Sequence, residues 1–277
     1  MNCSICGSSK INRLGVKNNF LLYKCLDCGH WFADVERSFK NISIENFSEV
    51  YCNYSKEDAE NEYKKLSAGE RPGGHCYANI ERLMKRLELV HFRGSTLLDV
   101  GCGSGFLLGQ AKKKGFTVQG VEPGPWGRLA SQKWNVPVES SFLRPHHFGR
   151  EFDLVTALDV IEHQSKPLDF LNVLARNLRI DGICALSFPC VDSFNAHTLG
   201  LRWHMVVPPT HCQFFSLESI KQLANACNFE IIDQVKYNIG GFPLLSRSKL
   251  FTYLYSKMLN KLNLGDQMMV LLKPVKQ

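Results

Sequence analysis

The stretch STLLDVGCGSG, residues 95–105, constrains this chain more than any other. A short apolar run ends in an acid, Asp99, and breaks at once into three glycines within five residues. Such a run predicts a buried strand whose carboxyl end turns sharply, with backbone N–H groups open to a ligand where the next helix, FLLGQAKKKG, begins. The spacing is G-x-G-x-G, not the G-x-G-x-x-G of dinucleotide sites. A second acid, Glu122, closes the next apolar run, TVQGVEPG, seventeen residues after Gly105. A carboxylate there can accept hydrogen bonds from both hydroxyls of a ribose.

Strand and helix patterns then alternate. GRLASQKW is a helix, VPVES a third strand, FDLVTALDVIEH a fourth strand with its exit loop, PLDFLNVLARNL a helix and GICALSFP a fifth strand. SLESIKQLANACN is a helix capped by Ser216, and FEIIDQVKY and GDQMMVLLKP are the sixth and seventh strands. Continuous apolar strands alternating with helices imply a mostly parallel sheet covered on both faces, with ligands at the carboxyl ends of the strands. The fold class is therefore α/β: a Rossmann-like seven-stranded sheet, preceded by a helix over YANIERLMKRLELV that presents Ile80, Leu83, Met84 and Leu87 on one face.

LLDVGCGSG, GVEP, FDLVTALDVIEH and GICALSFP, in this order over residues 75–275, resemble the seven-stranded S-adenosylmethionine-dependent methyltransferases. The resemblance implies that Asp99, Gly101 and Gly103 meet the methionine part of the cofactor, with Cys102 and Gly105 also cofactor-binding. It places Glu122 on the ribose, Phe142 over the adenine, and Asp159 and Val160 at the fourth strand's exit beside the cofactor. No acid follows VESS, where relatives commonly read the adenine amine, and RIDG replaces a common Pro-Gly-Gly turn.

Methyl transfer from a sulfonium needs an aligned nucleophile and, where necessary, a proton acceptor. Asp159, Glu162 and His163 in LDVIEHQS lie where the family's methyl donor meets its substrate. His163 is the favoured base because imidazole titrates near neutral pH. This exit loop lacks the Pro-Pro-aromatic signature of adenine-amine methyltransferases, and Cys190 in FPC has no companion motif for covalent cytosine chemistry. Further on, LGLRWHMVVPPTHCQFFS resembles the substrate wall of small-molecule and sugar-modifying relatives, making His211, Trp203 and Phe214 candidate contacts, with His211 also a candidate catalytic group.

The chain opens with CSIC and CLDC, a C-x2-C-x18-C-x2-C array in Cys3, Cys6, Cys25 and Cys28. This spacing suits a closed four-thiolate structural zinc; an iron–sulfur cluster is the alternative metal. His30, two residues past Cys28, is not expected as a ligand. The divisions read from sequence are a zinc ribbon at 1–33, a polar linker with short helices at 34–74, and a methyltransferase domain at 75–277 with a helical insertion near 246–264.

The net charge of +7 sits at the ends: six Lys/Arg against three Asp/Glu in residues 1–40, and six against one in 237–277. Two acceptor classes are implied by the resemblance, since small-molecule and ribosomal RNA methyltransferases both join an N-terminal zinc module to this fold. A small molecule such as a sugar or nucleotide-sugar is favoured; the alternative is RNA of the ribosomal guanine type, held by Lys10, Arg13, Lys17 and Lys24 with Phe20 and Tyr23. A third reading, a cofactor fold kept for partner recruitment, is opposed by the intact DVGCGSG and Glu122. Leu250, Leu254, Met258 and Leu262 with Lys249, Lys257 and Lys261 form a basic amphipathic helix suited to a lid, a dimer contact or weak contact with an acidic membrane surface. No secretory or membrane-spanning segment is legible, so a cytoplasmic protein is expected. Oligomeric state is not legible.

Overall fold

The computed structural model describes residues 1–35, 57, 60–61, 64–65, 75–238 and 249–275, so most of the 34–74 linker and residues 246–248 lie outside the described residues. A three-stranded antiparallel unit comes first: β1 (Ile11–Lys17), β2 (Phe20–Cys25) and β3 (Trp31–Ala33). Helix α1 (His75–Leu89) leads into β4 (Thr96–Val100), α2 (Phe106–Lys113), β5 (Thr117–Val121), α3 (Trp126–Trp134), β6 (Val138–Glu139) and β7 (Phe152–Leu158). There follow α4 (Pro167–Ala175), β8 (Leu178–Pro189), α5 (Phe194–Leu199), β9 (Gln213–Phe214), α6 (Leu217–Ala226), β10 (Phe229–Tyr237), α7 (Lys249–Lys261) and β11 (Gln267–Pro274).

The large sheet has the order β10-β11-β8-β7-β4-β5-β6. The strands pair in parallel except β11, which runs antiparallel to both β8 and β10. Alternate residues divide the core, as a period of two requires. Leu98, Val155, Leu186 and Val270 face α4 and α6 through Leu171, Leu174, Ile220 and Leu223. Leu97, Leu154, Ala185 and Leu271 face α1 and α2 through Ile80, Leu83, Leu87 and Leu108. Helices thus cover both faces, and the carboxyl ends of β4, β5, β7 and β8 meet at one edge.

The cysteine unit is joined to this body. β3 pairs with β9, Trp31 opposite Phe214 and Phe32 opposite Gln213, so the small sheet runs β1-β2-β3-β9. Leu22, Trp31 and Ala33 share a cluster with Trp203, Met205, Val206 and Phe214. Trp203 and Phe214 are fully buried there. As expected contacts of an open substrate pocket they are corrected: the indole and phenyl rings seat the cysteine unit.

On α7, Tyr255 and Leu259 turn inward while Leu250, Leu254, Met258 and Leu262 are exposed. Because β10 ends at the ligand edge and β11 returns from it, α7 stands on that edge. Among the described residues no helix is long and apolar enough to cross a membrane.

Candidate functional site

The site is built from strand ends. Gly101 adopts φ 70° at the end of β4 and lies so close to Val160 that an added Cβ would stand 2.7 Å from its Cγ2. The glycine turn and the exit loop of β7 are therefore in contact, and a side chain at Gly101 would drive them apart. Gly103, at φ 48°, faces open space: nothing lies within 4 Å of where its Cβ would be. The amides of Gly101 and Cys102 both donate to the Val121 carbonyl, and Gly105 donates to the Cys102 carbonyl before α2 begins.

Two acids line this turn. Asp99 is buried, 5% exposed, and accepts a 2.6 Å hydrogen bond from Thr156 Oγ1. Burial pushes its carboxyl up to about 7; the Thr156 hydroxyl opposes this and the nearby Glu122 charge adds to it. Glu122, 7% exposed, accepts from the backbone N–H groups of Gly103 at 3.0 Å and Gly124 at 2.7 Å. Burial raises its pKa, and those two amides oppose the rise. The Cys102 thiol is pushed well up by burial, so it stays protonated. Phe142, just past β6, is partly exposed.

The exit of β7 brings a second group of residues to the same edge. Asp159 holds a left-handed backbone, φ 58°. Its Oδ1 accepts from Ser187 Oγ at 2.8 Å and its Oδ2 from Asn79 Nδ2 at 2.8 Å, while its N–H donates to Ser187. Tyr237 donates to Asn79 Oδ1 at 2.6 Å, so β7, β8, α1 and β10 converge on one carboxylate. Asn79, Ser187 and Tyr237 had no sequence signal, because the three come together only in the folded sheet.

Asp159 is followed by the 3₁₀ turn Ile161–His163, which places Glu162 inward at 1% exposure. Burial and the neighbouring Asp159 charge push the Glu162 carboxyl well above its usual range. Burial lowers the His163 imidazole, which donates from Nδ1 to the Thr210 carbonyl at 2.6 Å. His211 donates from Nδ1 to the Met205 carbonyl at 2.8 Å, and the two imidazole rings lie 5.0 Å apart. The long loop before β9 thus delivers His211 to His163 across 48 residues of sequence.

Cys190 is fully buried and its thiol is pushed up to about 12 by burial, which removes it as a nucleophile. In the small sheet, Cys3 Sγ lies 3.7 Å from Cys28 Sγ and Cys6 Sγ 3.5 Å from Cys25 Sγ, and all four sulfurs lie within 4.8 Å of one another. Four thiolates about 2.3 Å from one tetrahedral zinc would be about 3.8 Å apart, so the donor set fits that ion. The neighbouring Cys28 thiol, by hydrogen bonding, pulls the Cys3 thiol below its ordinary range. His30 is buried and hydrogen-bonded to Gln213 at 2.8 Å.

A family model described as a methyltransferase domain matches residues 71–234. The chain belongs to the methyltransferase-domain family. Among curated relatives, the ubiquinone biosynthesis O-methyltransferase of Paramagnetospirillum magneticum is 33% identical over 98 residues, covering 33% of this chain and 39% of that protein. The one from Dinoroseobacter shibae is 30% identical over 156 residues, covering 52% of this chain and 63% of that protein. The chain thus spans less than two thirds of these relatives' own length. Magnesium protoporphyrin IX methyltransferase from Synechocystis PCC 6803, solved with bound S-adenosylmethionine, superposes with TM-score 0.53 at 15% identity over 85% of this chain and 99% of that one. That likeness is one of fold. In the large sheet of this methyltransferase-domain chain the antiparallel strand β11 lies between β8 and β10.

Proposed function

We propose that the protein is an S-adenosylmethionine-dependent methyltransferase that methylates a hydroxyl oxygen of a small organic acceptor. One observation carries the reading: an open glycine turn flanked by buried Asp99 and Glu122 touches, at one sheet edge, a loop bearing Asp159, Glu162 and His163. Four carboxylates in one place, three of them destabilised by burial, suit a cationic ligand. When bound, the cofactor would supply a methyl group already activated on a sulfonium.

In this reading Asp99, Gly101, Cys102, Gly103 and Gly105 hold the methionine part, Glu122 the ribose and Phe142 the adenine face, with Val160 packed beside them. Glu122 would exchange a backbone amide for ribose hydroxyls. Asp159 and His163 are the proton acceptors nearest the acceptor side, and His211 backs His163. Oxygen as the accepting atom is taken from the names of the curated relatives; phenols, sugars and nucleotide-sugars share that chemistry. Residues 1–33 act as a ribbon around one structural zinc on Cys3, Cys6, Cys25 and Cys28, and residues 75–277 act as the catalytic body. The RNA alternative is weakened at its own patch, since Lys10 is paired with Asp27 at 3.2 Å and Phe20 packs against the cluster that seats the ribbon.

The test is incubation of the full chain with methyl-deuterated S-adenosylmethionine and a panel of catechols, sugars, nucleotide-sugars and RNA. The expected result is a labelled methyl on a hydroxyl of one small-molecule class; label found only in RNA would overturn the reading.

A further inference from the structure

Glu162 presents an unexplained feature. It is 1% exposed, yet its Oε2 has no hydrogen-bond partner among the described residues. A buried carboxylate oxygen left unpaired costs on the order of 1–3 kcal/mol or more, so a native fold retains one where something else satisfies it. Glu162, His163 and His211 each offer a ligand atom, and these atoms all lie within 4.8 Å of one another.

The imidazoles are prepared in the manner of metal ligands. A carbonyl oxygen can only accept, so His163 and His211 must carry their protons on Nδ1, where they meet Thr210 and Met205. In the neutral form of either ring the lone pair would then lie on Nε2. An N–H donated to a backbone carbonyl is the arrangement that fixes the tautomer and orientation of a metal-bound histidine. The loop carrying His211 is itself tied to the turn carrying Glu162, because the next residue, Cys212, donates its N–H to the Glu162 carbonyl at 2.9 Å.

We propose that Glu162, His163 and His211 form a site for a divalent first-row transition-metal ion on the acceptor side of the pocket. Two imidazoles and one carboxylate suit zinc, iron(II) or manganese(II), and such a set leaves coordination positions open for a ligand oxygen. The proposal rests on the methyltransferase reading for its chemical role. An acceptor hydroxyl bound to the ion would lose its proton more readily, with the Asp159 carboxylate as the neighbouring proton acceptor. The resulting oxygen would form the new O–CH3 bond as the S–CH3 bond breaks, its electron pair staying on sulfur as a neutral thioether. His163 then acts as a ligand, and Asp159 as the base.

The experiment is cobalt(II) titration of the metal-stripped full chain, followed by absorption. Cobalt at the four-cysteine site gives intense thiolate charge-transfer bands; cobalt at Glu162, His163 and His211 adds a further equivalent with ligand-field bands and no new charge transfer. Glu162→Gln and His211→Ala should weaken that equivalent by at least about 100-fold, the upper end of what loss of an outer partner alone costs, and leave the thiolate bands unchanged. A wild-type chain showing only thiolate-site cobalt, or variants that bind the further equivalent as tightly as wild type, would overturn the proposal. Should both variants fail to fold, the wild-type spectrum decides. Calorimetric binding of S-adenosylmethionine to the metal-stripped protein tests the methyltransferase reading separately, so one can fail without the other.

Discussion

At the scale of single residues, the buried acids set the behaviour of the site. Asp99 has a folded pKa of about 7 against an ordinary 3.8, so between those values the folded protein holds a proton that the unfolded chain has released. Its contribution to stability is therefore greatest below about pH 4 and declines as pH rises through about 7. A cationic cofactor favours the ionised form. Affinity for S-adenosylmethionine should rise with pH up to about 7, by no more than about ten-fold per unit, and level off above it. Calorimetry between pH 5.5 and 8 on wild type and Asp99→Asn checks this; the variant should lose the slope, and a wild-type affinity independent of pH would contradict it. Asp99 and Glu122 were legible because each ends an apolar run at a fixed place relative to the glycines. The clamp on Asp159 was not: Asn79, Ser187 and Tyr237 come from elements separated by up to 158 residues and have ordinary sequence surroundings.

At the scale of elements, Ser216 does more than cap a helix. Its Oγ accepts from Ser219 N–H at 2.9 Å, Ser216 N–H in turn donates to Ser219 Oγ, and Ser216 Oγ also donates to the buried carbonyl of Cys28. One hydroxyl thus starts α6 and fastens the cysteine unit. Ser216→Ala should cost roughly 1–3 kcal/mol, combining a lost cap with an unsatisfied carbonyl, read as a lower denaturant midpoint. A change within about 0.5 kcal/mol, as at ordinary surface sites, would contradict this. The Ser216 cap was legible at the head of a helical pattern, and so were the seven main strands, whose apolar runs end at turns or acids. β3 and β9 were not, having three and two residues, too short to show a period, and pairing across a distance no local pattern records. The outward stripe on α7 was legible as a stripe, but its direction was set by Tyr255 and Leu259, which pack inward instead.

At the scale of the whole molecule, the cysteine unit and the large sheet share a β-pairing and a hydrophobic cluster, while the adjacent strands β5, β4 and β7 collect the acids at their ends. The same loop, residues 203–214, seats the cysteine unit with Trp203 and Phe214 and delivers His211 to the site. Class and the number of main strands followed from the alternation of patterns. The role of that loop did not, because a segment rich in aromatic and histidine residues reads alike whether it lines a pocket or fills a core. The central claim is that the glycine turn and Glu122 hold S-adenosylmethionine. Its most direct measurement is calorimetric titration of S-adenosylmethionine into the full chain and into folded Glu122→Ala. The account predicts one equivalent bound by wild type and affinity at least about ten-fold weaker in the variant, the loss expected from about 1.4 kcal/mol of charge-assisted hydrogen bonding. No binding heat in wild type across temperatures, or equal affinity in the variant, would contradict it.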